Sequence, residues 1–229
     1  MFEKLEVIPP GEAFDGAMQM ALDEVLLHSI GTPTLRIYSW AAPCVTFGYF
    51  QKIGEVLKAY PGVPVTRRWT GGGMVEHGVD LTFSLMVPKT EPSAARPPAI
   101  FYRELHGCLA SWIVSKSSSR LAGSIRLAGE GDQLSGSSCF TAPARDDLLL
   151  EGNKILGGAQ RRNRGCLLYQ GSLQGNLCGV QSHGFFDPVI MAGFLSASVS
   201  GASLAGSVIE AASELAAVRY RSHEWNGRR

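Results

Sequence analysis

The chain has 229 residues, 45% hydrophobic and 18% charged, with a formal net charge of +1. That length supports one large domain or two small ones, with a sizeable core, and the near-neutral charge excludes a nucleic-acid binder that works by bulk phosphate attraction. No apolar stretch reaches the roughly 18 residues a bilayer span needs, so no membrane partner is expected. The N-terminus lacks the basic-then-apolar layout of a signal peptide. The five cysteines (Cys44, Cys108, Cys139, Cys166 and Cys178) are scattered and form no CxxC pair, which indicates neither a metal knuckle nor a disulfide framework. A reducing cytoplasm is the compartment this usage implies.

In chain order, Glu12 to His28 reads as an amphipathic helix, with Phe14, Ala17, Met18, Ala21, Leu22, Val25 and Leu26 at helical spacing. Thr34 to Tyr38 and Cys44 to Phe47 read as strands around the Ala41-Ala42-Pro43 turn. Ile53 to Tyr60 is a short helix stopped by Pro61-Gly62. Val63 to Arg68 is a strand, the glycines after it a loop, and Leu81 to Val87 another strand. Pro88 to Pro98 is a loop, and Ile100 to Lys116 a long helix with Phe101, Leu105, Leu109, Trp112 and Ile113 on its apolar face. Ser117 to Ser138 is rich in Ser and Gly, with one strand at Ser124 to Leu127. Leu148 to Leu150, Lys154 to Gln160 and Cys166 to Tyr169 are three adjacent strands joined by short turns. Leu195 to Gly206 reads as a loose connection, Ser207 to Tyr220 as a terminal helix, and the last eight residues as frayed. The pattern gives an α/β (α+β) fold with a mixed, largely antiparallel sheet flanked by helices, in one domain over 1–229.

Three segments are poor packing material and carry chemistry. In TRRWTGGGMVEH, Gly71, Gly72 and Gly73 give up backbone entropy and bury no side chain. They make either a wide hairpin loop or an anion-binding concavity of exposed N–H groups. Arg67 and Arg68 alternate faces ahead of the loop, so at least one points into the cavity it borders, and His77 follows. In GNKILGGAQRR, Lys154 is either a solvated strand start or a functional cation. Gly157 and Gly158 let another backbone or a ligand approach. Cys139, in SSCFTAP, lies in a polar loop with no evident packing role, where a nearby cation would raise its thiolate fraction.

Together these runs resemble the lipoate-protein ligase and octanoyltransferase family, related in fold to biotin protein ligases. The resemblance lies in GAMQMALDEVLL, YSWAAPCVTFGYFQ, RRWTGGGMVEHGVDLTFSL, NKILGGAQRR and LLYQGSL, and covers Gly11 to Leu173. It implies a biotin/lipoate protein ligase-like catalytic domain with an acyl tunnel, the Gly71 to Gly73 loop at the reacting end and Lys154 on the acyl carbonyl or carboxylate. CFTAP ahead of the lysine is similar to the cysteine-dependent octanoyltransferase branch. There Cys139 would take an octanoyl (or lipoyl) group from acyl carrier protein and pass it to the acceptor lysine of a lipoyl domain, of 2-oxoacid dehydrogenases or glycine cleavage H protein, with no cofactor or metal. The alternative the resemblance carries is an ATP- and Mg-dependent lipoate-protein ligase working through lipoyl-AMP, with Arg67, Arg68 and the glycine loop on the adenylate. A non-catalytic acyl- or partner-binding member is a further alternative. The 56 residues after Leu173 are too few for the ligases' C-terminal accessory domain, and a monomer is expected. Glu76, Gly78, Val79 and Tyr169 depart from the family pattern; Tyr169 stands where a histidine is common.

Overall fold

The computed structural model describes residues 1–116, 124–132, 143–174 and 187–228. Eleven strands among these form two sheets. The large one contains β1 (Phe2–Ile8), β2 (Thr34–Tyr38), β6 (Leu81–Val87), β7 (Ile125–Leu127), β8 (Leu148–Leu150), β9 (Asn153–Asn163), β10 (Cys166–Leu173) and β11 (Ser196–Gly201). Its order is β11-β1-β2-β6-β10-β9-β8-β7. β1 runs parallel to β11 and β2, and all other neighbours are antiparallel. The small sheet is β4 (Val65–Arg67), β3 (Cys44–Phe47) and β5 (Val75–His77), in that order. The helices are α1 (Gly16–Ser29), α2 (Ile53–Ala59), α3 (Pro98–Lys116), α4 (Pro188–Gly193), α5 (Gly206–Leu215) and α6 (His223–Asn226).

Period-two alternation on the strands builds two separate packing layers. Phe83, Leu85 and Val87 of β6, with Leu167 and Tyr169 of β10, face α3 and meet Phe101, Leu105, Leu109, Trp112 and Ile113. Met86 and Leu168 point the other way, against Met18, Ala21 and Leu22 of α1 and Ala212 of α5. Asp15 caps α1, its Oδ1 accepting from the Met18 N–H at 2.8 Å.

The mixed, largely antiparallel sheet flanked by helices is the architecture expected from the sequence. Several elements differ from that expectation. Phe2 to Ile8, not read as an element, is an interior strand of the large sheet. The supposed loose connection contains β11, an edge strand of small residues whose backbone pairs with β1 from Phe2↔Ser196 to Val7↔Gly201. The tail is not frayed: Ser222 caps α6 and Trp225 is buried. Arg67 causes this. Its guanidinium donates to the Trp225, Asn226 and Arg228 carbonyls at 3.0, 2.8 and 2.6 Å, and to those of Tyr49 and Gln51 at 2.6 and 2.8 Å. A planar cation saturated by carbonyls ties the C-terminal segment to the turn after β3. No described helix is long and apolar enough to cross a membrane.

Candidate active site

Lys154 is the second residue of β9, reached from β8 through a tight turn in which Glu151 and Gly152 take φ of 50° and 83°. Its Nζ lies 2.8 Å from Asp147 Oδ2, with the lysine side chain 10% exposed and the aspartate 1%. A buried ion pair persists only when further hydrogen bonds satisfy its partners. Here Tyr102 donates its hydroxyl proton to Asp147 Oδ1 at 2.5 Å, and the Ala144 N–H donates to Oδ2 at 2.7 Å. Burial first, then neighbouring Tyr169 and Asp147, push the Tyr102 phenol well above its ordinary range, so it stays a donor.

The two glycines of this strand make room for side chains of the chain itself. A Cβ on Gly157 would stand 2.4 Å from Lys154 Cε and 2.6 Å from Nζ, so the lysine lies across the bare backbone there. A Cβ on Gly158 would stand 2.1 Å from the Tyr169 hydroxyl oxygen. That hydroxyl meets His106 Nε2 at 2.6 Å, and His106 Nδ1 meets the Asp146 carbonyl at 2.7 Å. The carbonyl can only accept, so Nδ1 carries the proton and Nε2 accepts from Tyr169. Complete burial holds His106 neutral, its pKa pushed down to about 4.

The glycine loop is held from within. Arg68 donates to the Gly71 and Gly73 carbonyls at 3.0 and 2.7 Å, and to Thr46 Oγ1 at 2.8 Å. Gly72 has φ of +84°, and its carbonyl packs so closely on Gly48 that a Cβ there would be 1.9 Å away. Both glycines are therefore required by geometry. Arg68 thus lines the cavity while Arg67, one residue earlier, lies behind it in the C-terminal tie.

His77 follows on β5. It stacks on Trp40 with ring centroids 4.0 Å apart and bridges Thr46 Oγ1, at 2.7 Å, to Asp80 Oδ2, at 2.8 Å. Asp80 also accepts from Thr82 and Ser172, each at 2.7 Å. Burial raises the Asp80 pKa, but these donors, His77 foremost, outweigh it and hold the carboxyl below its usual value.

All of this surrounds one cavity of about 150 Å³ between the two sheets. The small sheet supplies Thr46 and His77, the loop between β4 and β5 supplies Arg68, Gly72 and Gly73, and the large sheet supplies Lys154, Gly157 and Gly158. Gly71 reaches it only through its carbonyl bond to Arg68. Cys139 lies outside the described residues. The next described segment begins at Pro143, and Ala144 lines the cavity.

Sequence reading missed Tyr38, Trp40, Thr46, Asp147, Gln170 and Ser172 of this wall. The signal was present on β6 and β10. There Thr82, Ser84, Gln170 and Ser172 alternate with apolar residues and are all buried. Polar side chains on the covered face of a central strand need a reason. Beneath them Asp23 pairs with Arg36 at 2.7 Å and accepts from Gln170 at 2.8 Å, which joins α1 to β2 and β10.

Comparison with known proteins agrees with this fold. The sequence pattern of the lipoyl protein ligase A/B catalytic domain matches residues 15–188. Octanoyltransferase LipM of Geobacillus kaustophilus is 37% identical over 169 residues, covering 69% of this chain and 60% of LipM, so the chain spans about 60% of the length of that curated relative. Protein Ta0514 of T. acidophilum, solved with bound lipoic acid, superposes with a TM-score of 0.69 at 20% identity over 100% of both chains. A lipoate-protein ligase A bound with ATP superposes with 0.66 at 20% identity over 99% of each. Both share the fold. With its pattern matched over most of its length, the chain belongs to the lipoyl protein ligase A/B catalytic domain family.

Proposed function

We propose that this chain is an acyltransferase of protein lipoylation, moving an octanoyl group from acyl carrier protein to the acceptor lysine of a lipoyl domain. The observation that carries the reading is the cation at the cavity wall. Lys154 is almost fully buried and is aimed by Asp147, Tyr102 and the bare backbone of Gly157. A fixed ammonium there stabilises the negative charge that develops on a carbonyl oxygen during acyl transfer, at no reorganisation cost. The identity to proteins named octanoyltransferase supports the choice of acyl group.

In this mechanism the Cys139 thiolate attacks the thioester carbonyl. A carbon–sulfur bond forms, and the carrier's thiol departs with a proton from solvent. The neutral ε-amine of the acceptor lysine then attacks the acyl-enzyme. An amide forms, the amine proton is lost to solvent, and Cys139 leaves as thiolate. Splitting the transfer into two thioester steps is covalent catalysis and needs no cofactor. Arg68 and the Gly72–Gly73 backbone border the reacting end, and the His77–Thr46 contact braces Arg68 from behind.

The test is an apo lipoyl domain incubated with octanoyl carrier protein without ATP. The reading expects an octanoylated acceptor lysine. Modification that appears only with free acid, ATP and Mg²⁺ would replace transfer by ligation. No modification under either condition, with retained acyl binding, would leave a binding protein.

A further inference from the structure

A second cavity, of about 270 Å³, lies on the same side of the large sheet as the first and is larger than it. Its walls are mostly apolar: Ile8 at the end of β1, Pro10, Phe14, and Leu204 and Ile209 where β11 leads into α5. No step of acyl transfer uses it. One side chain, Tyr38 on β2, lines both cavities. Tyr38 is buried and braced from three directions. The Arg36 guanidinium carbon lies 4.2 Å from its ring centroid, Trp40 packs edge-on at 5.5 Å, and its hydroxyl is 3.3 Å from Ser84 Oγ.

The strand order gives the first cavity a length. Lys154 stands on β9 and Tyr38 on β2, and between them lie β10 and β6. Gly157, across which the Lys154 side chain lies, stands in register with Ser172, Thr82 and Tyr38. Strands are about 4.8 Å apart, so three steps separate Gly157 from Tyr38 by about 14 Å. An extended eight-carbon acyl chain is about 9 Å long, from carbon–carbon bonds of about 1.5 Å in zigzag. With its carbonyl oxygen at hydrogen-bond distance from Nζ, it reaches about 12 Å from the lysine. A twelve-carbon chain, built from the same bonds, reaches about 17 Å and runs into the tyrosine ring.

We propose that Tyr38 is the septum that sets the acyl-chain limit, and that the cavity behind it is latent space for longer chains. This rests on the acyl-transfer reading of the Lys154 cavity. The ring, held rigidly, divides one long apolar channel in two. Replacing it by a smaller aliphatic side chain joins the halves.

Octanoyl and dodecanoyl carrier proteins are to be compared as donors for wild type and Tyr38→Leu, with Tyr38→Met as the variant that keeps more buried volume should Tyr38→Leu fail to fold. The ratio of kcat/KM for dodecanoyl to octanoyl should rise at least about ten-fold, equivalent to about 1.4 kcal/mol. Ile209→Phe added to Tyr38→Leu refills the second cavity and should return the ratio towards wild type. An unchanged ratio in a folded Tyr38 variant overturns the septum, as does a gain that survives Ile209→Phe. Calorimetric binding of free octanoate and dodecanoate repeats the comparison without turnover. A binding shift in a protein that transfers no octanoyl group upholds the septum and overturns the transfer reading instead.

Discussion

Lys154 is a cation almost wholly removed from water, and such a group must be both paired and hydrogen-bonded through its partner. Asp147 provides this pairing with every oxygen engaged, and Gly157 provides the surface across which the lysine lies. Two variants separate charge from placement. Lys154→Ala should lower kcat by about 10²–10³-fold, the usual loss of one preorganised donor at a developing oxyanion. Gly157→Ala keeps the lysine but sets a methyl on its Cε; the side chain moves aside, so kcat falls comparably while the melting temperature shifts little. Full activity in Gly157→Ala would contradict the placement. At this scale the sequence marked Lys154 and the glycines, because glycine runs and a strand lysine are anomalous as packing material. Asp147 and Tyr102 carried no such mark. An aspartate before a strand and a tyrosine on a helix are ordinary until the fold brings them together.

Element by element, the strongly periodic segments were legible: α1, α3, β6 and the β8–β9–β10 succession stand close to where their patterns put them. The small sheet was half legible, since β5 is three residues long and follows a glycine loop. β11 was not, because an edge strand of Ser, Ala and Gly with Val199 as its one β-branched residue has no apolar alternation to reveal it. The tail was misread because its anchor is remote in sequence. Arg67 was expected to bind substrate together with Arg68, but its donors are occupied by backbone carbonyls of the C-terminal segment and the turn after β3. Lysine cannot reproduce that fork. Arg67→Lys should therefore destabilise by about 3 kcal/mol or more, seen as a lowered denaturant midpoint, with KM for the acyl donor unchanged. A raised KM at unchanged stability would return Arg67 to the substrate site. Trp225→Ala tests the same tie from its other end and should cost about 3–5 kcal/mol.

For the whole molecule, the buried His106 between α3 and β10 couples folding to pH. Its folded pKa is pushed down to about 4, whereas an exposed histidine titrates near 6.5. The unfolded chain binds the proton first. Stability is therefore complete above about 6.5 and falls as the pH drops towards 4, by up to about 1.4 kcal/mol per unit and about 3 kcal/mol in all. Urea titrations across this window should give that slope in wild type and a flatter one in His106→Gln; equal slopes would contradict it. The same helix–sheet contact places Tyr102 over Asp147 and Tyr169 under Gly158, so the packing that carries the fold also aims the lysine. The central claim is that this aimed cation serves acyl transfer through Cys139. Its most direct test is intact-mass and peptide mapping after incubation with octanoyl carrier protein and no acceptor. The account predicts one octanoyl group on Cys139, released by hydroxylamine and absent in Cys139→Ser. An unmodified protein, or an adduct that persists in Cys139→Ser, would contradict it.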